Sequence, residues 1–84
     1  MIKKSVKIQL STGFDARPIA MLVQTASKFN SSIYLEFQDK KINAKSIMGM
    51  MSLSVLNGDS LDVVIDGEDE IVAIEEMEKF LSGK

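Results

Sequence analysis

A chain of 84 residues, 45% of them hydrophobic and only one a proline, is long enough for one compact domain with a modest core and too short for two. It contains neither cysteine nor histidine, which excludes a disulfide framework and a thiolate metal site and removes the commonest metal ligand and the commonest general base. A net charge of −2, with acidic residues crowded between Glu68 and Glu78, argues against nucleic-acid binding, and no apolar run reaches the roughly 18 residues of a membrane span. The expectation is a soluble, cytoplasmic protein with no cofactor and no metal, whose partners are other proteins.

Val6, Ile8 and Leu10 alternate with Ser5, Lys7 and Gln9, the period-2 pattern of a strand with one buried and one wet face, which Thr12 and Gly13 break. From about Ala16 the apolar spacing becomes Ile19, Leu22, Val23 and Ala26, predicting a helix with a core-facing stripe that Asn30-Ser31-Ser32 closes. Ile33, Leu35 and Phe37 alternate with Tyr34 and Glu36. A polar turn, Gln38-Asp39-Lys40, then leads to a shorter run with Ile42 and Ala44 on one side, so the region reads as a hairpin.

Ser46 precedes a short methionine-rich helix, Ile47 to Leu53, that Asn57-Gly58 ends. Leu61, Val63 and Ile65 mark the last strand, and Asp66-Gly67 turns the chain into a final helix whose shared face is Ala73, Ile74, Met77, Phe80 and Leu81. Glu68, Asp69 and Glu70 sit where negative charge favours a helix N-terminus, and Glu75 is spaced to pair with Lys79. There is no internal repeat, linker or low-complexity tract, so residues 1–84 are expected to form a single domain.

The predicted order is β-α-β-β-α-β-α. Four strands with one apolar face each need cover on one side only, which predicts an α+β domain with three helices on one face of a four-stranded antiparallel sheet. Periodicity leaves the strand order open, and a ferredoxin-like arrangement satisfies the same pattern.

Two segments carry more than fold. Gly13-Phe14-Asp15-Ala16-Arg17-Pro18 spans the junction of the first strand and first helix, and Asn43-Ala44-Lys45-Ser46-Ile47-Met48-Gly49-Met50-Met51-Ser52-Leu53 spans the start of the second helix. Together with Val23-Gln24-Thr25-Ala26-Ser27-Lys28-Phe29, they resemble the signatures of HPr, the phosphocarrier of the bacterial phosphoenolpyruvate-dependent sugar phosphotransferase system. The resemblance covers nearly the whole chain, and the methionine-rich segment is its more specific part. It implies an open-faced β-sandwich with strand order 1-4-2-3.

In that family the position of Asp15 is held by the histidine that takes a phosphoryl group from Enzyme I and passes it to Enzyme IIA proteins. A phosphohistidine needs an imidazole nitrogen, and a carboxylate reaches comparable chemistry only as an acyl phosphate. Three readings of Asp15 therefore stand: a helix cap, a cap whose charge imitates phosphohistidine for some partner, and an acyl-phosphate acceptor. The protein is not expected to be an enzyme, and in the first two readings it carries no phosphoryl group at this position.

The resemblance implies that Ser46 matches the serine phosphorylated from ATP by HPr kinase/phosphorylase in Gram-positive bacteria, whose product binds the transcription regulator CcpA. A phosphate at a helix N-terminus would meet unpaired N–H groups, although an N-cap serine is also an ordinary structural element. Ile47, Met48 and Met51 cannot all point inward on so short a helix, so an exposed apolar patch is expected beside Arg17, with Met50 filling the core. In the family the matching positions contact Enzyme I, the kinase and CcpA, and the arginine fork suits carboxylate or phosphate partners.

These expectations combine into a Crh-like regulator in carbon catabolite repression: a family member that has lost the carrier histidine, keeps Ser46, and acts through a CcpA-like transcription regulator and metabolic enzymes. In Crh proteins the histidine is usually replaced by glutamine, so aspartate departs even from them. The alternatives are a phosphotransfer protein that uses Asp15, and a constitutive module in which Asp15 mimics the phosphorylated state.

Overall fold

The structure is a computed structural model that describes residues 1–10, 16–53 and 58–83. Its elements follow the expected order: β1 (Ile2–Lys7), α1 (Ala16–Ser27), β2 (Ser32–Phe37), β3 (Lys40–Asn43), α2 (Ile47–Met51), β4 (Ser60–Asp66) and α3 (Glu70–Ser82). The strands form one sheet in the order β1-β4-β2-β3, with each neighbouring pair antiparallel. This is the order that the resemblance implied, and it excludes the ferredoxin-like alternative.

Alternation decides which face is covered. Ile33 and Leu35 of β2 and Leu61, Val63 and Ile65 of β4 point to the same side, where they pack with Ile19, Leu22 and Ala26 of α1, Met50 of α2, and Ala73, Ile74, Met77 and Leu81 of α3. The other face is polar. Lys3 there lies 3.3 Å from Glu36 and 3.9 Å from Asp62, and the Lys41 ammonium sits 4.8 Å from the centre of the Tyr34 ring. Solvated charge pairs of this kind contribute little stability, but they keep the uncovered face hydrophilic.

Several boundaries differ from the periodic reading, each for a local reason. The first strand starts at Ile2 and stops at Lys7, because Lys7 pairs with Ser60, the first residue of β4. Ile8 is still fully buried and exchanges backbone hydrogen bonds with Asp59 and Gly58, at 2.8 Å each. The early half of the strand is hidden from a hydropathy pattern because Lys4, not an apolar residue, occupies the core-side register position between Ile2 and Val6. Its ammonium donates to Glu78 of α3 at 2.8 Å.

The hairpin turn has two residues instead of three: Lys40 pairs with Phe37, while Gln38 (φ 49°) and Asp39 (φ 65°) are both left-handed. That conformation matches the right-handed twist of the flanking strands. The helix expected to run to Leu53 ends at Met51. In α3, Asp69 occupies the N-cap position without making a side-chain cap, and among the described residues no ion pair joins Glu75 to Lys79.

Candidate functional site

The segment around Ser46 is assembled from hydrogen bonds that its own sequence supplies. Asn43 Oδ1 accepts the Lys45 N–H at 2.9 Å, closing a local turn at the end of β3, and the Asn43 carbonyl accepts the Ser46 N–H at 3.0 Å. Between these residues Ala44 is fully buried and donates its N–H to the Ile33 carbonyl at 2.9 Å. The Lys45 side chain turns the other way, its ammonium donating to the Phe29 carbonyl at 2.6 Å just beyond the end of α1. Ser46 is thus held against both the sheet and the first helix.

From there the chain enters α2. Ser46 is extended (φ −105°, ψ 111°); its Oγ accepts the Gly49 N–H at 3.2 Å, and its carbonyl accepts the Met50 N–H at 2.9 Å. At the other end the Ser52 hydroxyl donates to the Gly49 carbonyl at 2.6 Å. A helix of five residues has no stability of its own, so these caps and the burial of Met50 hold it. The expectation for Met50 is met: it is 0% exposed.

The expected apolar patch is also present. Ile47, Met48 and Met51 are 44%, 83% and 52% exposed, although each could have been an ordinary core residue by composition. Flexible thioethers at this exposure form a surface that adapts to a partner. Ser46 lies at the edge of that patch, directly before Ile47.

Arg17 is exposed in the first turn of α1, a helix that packs on α2. Among the described residues it makes no ion pair, and no hydrogen bond joins it to Ser46. Met21, one helical turn after Arg17, is likewise exposed. The sequence reading passed over Met21, although its place outside the Ile19, Leu22 and Ala26 stripe was a usable signal. Asp15 lies outside the described residues.

Gly49, which the sequence presents only as one residue of the Asn43 to Leu53 segment, is closely packed. A Cβ built on it would lie 3.2 Å from Ile42 Cγ2 and 3.3 Å from Ser46 Oγ, so any larger residue would make both neighbours yield by a few tenths of an ångström. No periodicity reports such a contact, because Ile42 and Gly49 belong to different elements.

Elsewhere, a shallow polar groove of about 390 Å³, with Glu36, Asp39, Lys41 and Asp62 among its walls, lies at the turn end of the β2–β3 hairpin, opposite to the α2 end. It contains none of the expected site residues. Among the described residues no group of three or more acidic side chains is placed to hold a metal ion, and no helix is long and apolar enough to cross a membrane.

Comparison with known proteins agrees with this fold. The PTS-HPr family, described by its phosphorylation site in the HPr component, matches residues 2–83. The HPr-like protein Crh of Bacillus subtilis (strain 168) is 44% identical over 81 residues, which cover 96% of this chain and 95% of Crh. The phosphocarrier protein HPr of Bacillus anthracis (strain Ames) superposes with a TM-score of 0.91 at 38% identity, covering 95% of each chain. A crystal structure of Bacillus subtilis Crh, described as a dimer with a swapped domain, matches with a TM-score of 0.81 at 43% identity, covering 100% of this chain and 97% of that one.

Proposed function

We propose that this chain, which belongs to the HPr family, is a regulatory member that works through phosphorylation of Ser46 instead of phosphoryl transfer through residue 15. In this reading HPr kinase/phosphorylase places a phosphate from ATP on Ser46, and the modified surface binds a CcpA-like transcription regulator in carbon catabolite control in the cytoplasm. Asp15 stands where the family has its carrier histidine, and the chain contains no imidazole to form a phosphoramidate.

The observation that carries the reading is the arrangement of Ser46 and the three apolar residues that follow it on one short helix. Ser46 borders Ile47, Met48 and Met51, so a phosphate of charge about −1.5 to −2 would add a strong polar anchor beside an exposed, adaptable patch. A regulator with an arginine facing the phosphate and an apolar pocket facing Met48 reads both features together. One to three charge-assisted hydrogen bonds, at roughly 1.5 to 3 kcal/mol each, exceed the approximately 1.4 kcal/mol that a tenfold affinity change requires.

The reading is tested by intact mass. With ATP and HPr kinase, the protein should gain a single phosphate that peptide mapping places on Ser46; with phosphoenolpyruvate and Enzyme I, it should gain none. An adduct at Asp15 in the second mixture assigns an acyl-phosphate carrier instead. No change in either mixture assigns the constitutive module.

A further inference from the structure

We propose that Gly49 is a positioning residue for phosphoryl transfer to Ser46, keeping open the space around the hydroxyl into which the phosphoryl group must enter. The inference rests on the reading of Ser46 as the acceptor and adds a residue to it.

Gly49 is not required by its backbone. Among the described residues the glycines with positive φ are Gly58, Gly67 and Gly83, whereas Gly49 lies inside α2 with helical geometry, where alanine is the more stable residue. What alanine would introduce is a methyl group between two neighbours, 3.2 Å from Ile42 Cγ2 and 3.3 Å from Ser46 Oγ. The backbone of Ile42 is held by the pairing of β3 with Leu35 of β2, so relief must come from small shifts of the Ile42 methyl and of the Ser46 hydroxyl. The methyl therefore presses on the hydroxyl.

That pressure falls on the reacting atom. In the transfer, Ser46 Oγ forms a bond to the γ-phosphorus of ATP as the bond from that phosphorus to ADP breaks, and the hydroxyl proton passes to a base of the kinase. The phosphorus brings three further oxygens close to Oγ, and a methyl on Gly49, 3.3 Å from Oγ and 3.6 Å from Ser46 Cβ, would crowd the hydroxyl to which they come. Ser46 must also release its bond from the Gly49 N–H, now 3.2 Å long, or share it with the incoming phosphate. A methyl at position 49 narrows both motions.

The bland explanation is that Gly49 serves only the packing of α2 on Ile42. Ile42→Leu separates the two, since leucine lacks the methyl at the β-carbon while keeping the side-chain volume. We would measure phosphorylation kinetics and thermal midpoints for the whole protein, Gly49→Ala, and Gly49→Ala/Ile42→Leu, using HPr kinase and ATP. Gly49→Ala should lose roughly 10- to 100-fold in kcat/KM, mostly in kcat, as expected when a reacting atom is misplaced. Ile42→Leu should recover the thermal midpoint but not the rate. Wild-type kinetics in Gly49→Ala, recovery of rate together with stability in the double variant, or failure of both variants to fold would overturn the proposal in favour of packing. A wild-type protein that is not phosphorylated at all removes the Ser46 reading itself and this inference with it, and is told apart because it appears without any substitution.

Discussion

The Ser31 hydroxyl donates to the carboxylate of Asp69, a residue 38 positions further along the chain, and the Asp69 carboxylate also accepts the backbone N–H groups of Asn30 at 2.8 Å and Ser31 at 3.0 Å. One side chain thereby closes the loop after α1 against the loop before α3. Gly67 makes this possible: a Cβ there would come within 2.6 Å of Ser31 Cα. Ser31 is itself buried, so its hydroxyl depends on this partner.

The tie makes part of the stability acid-sensitive. The Ser31 hydroxyl first, and then the Asn30 N–H, hold the Asp69 carboxyl below its ordinary value of 3.8. Because the folded-state value is the lower one, the contribution is complete above the ordinary value and disappears as the pH falls through the depressed one. Asp69→Asn should lower the thermal midpoint at neutral pH and lose less than the wild type as the pH is taken down to about 2. Parallel midpoint curves for the two proteins would show that the tie does not titrate with folding.

The hairpin turn leaves room for improvement. Gln38 and Asp39 both hold positive φ without glycine, and glutamine gains nothing from that conformation. Gln38→Asn with Asp39→Gly supplies the sequence that two-residue turns of this kind favour, and should stabilise the protein by about 1 kcal/mol. In a domain of this size that raises the melting temperature by roughly 4 to 8 °C. A lower midpoint would mean that the side chains of the turn make contacts that the native loop needs.

Ser46 carries two roles that substitution can separate. Ser46→Ala removes the cap to the Gly49 N–H and should cost about 1 kcal/mol as well as the phosphate. Ser46→Asp can cap the same N–H, so it should retain most of the stability while remaining closed to the kinase. Chemical denaturation and intact mass on the two variants check this. Equal destabilisation of both would show that the cap needs a hydroxyl in particular.

Within α2, neighbouring methionines should behave oppositely. Met50 is fully buried, and Met50→Ala should cost about 2 to 5 kcal/mol. Met48 is 83% exposed, and Met48→Ala should leave stability within roughly 0.5 kcal/mol while weakening regulator binding by the phosphorylated protein. Denaturation curves and titration calorimetry distinguish the two. A large loss of stability in Met48→Ala would place that side chain in the core and remove it from the binding surface.

The element order was legible in the sequence because each element signals its type locally: period 2 at Ile33, Leu35 and Phe37, and helical spacing at Ile19, Leu22 and Ala26. The exposed patch was legible too, since Ile47, Met48 and Met51 cannot all point inward on so short a helix. Strand order came from resemblance, because alternation marks a face and not a neighbour. What only the tertiary structure decided depends on register between distant segments. Asp69 looks like one of three charges favouring the N-terminus of its own helix; its carboxylate instead accepts from Asn30 and Ser31, because β2 and β4 pair Ser32 with Asp66 and bring the two loops together. Lys4 breaks the apolar alternation and yet shares the register of Ile2 and Val6 in β1, where it stays exposed and reaches Glu78 of α3. Gly49 looks like a tolerated glycine until Ile42 is brought against it from another strand. A chain encodes the conformation of each segment in neighbouring residues, but which backbone passes within a methyl's width of another is set by long-range packing.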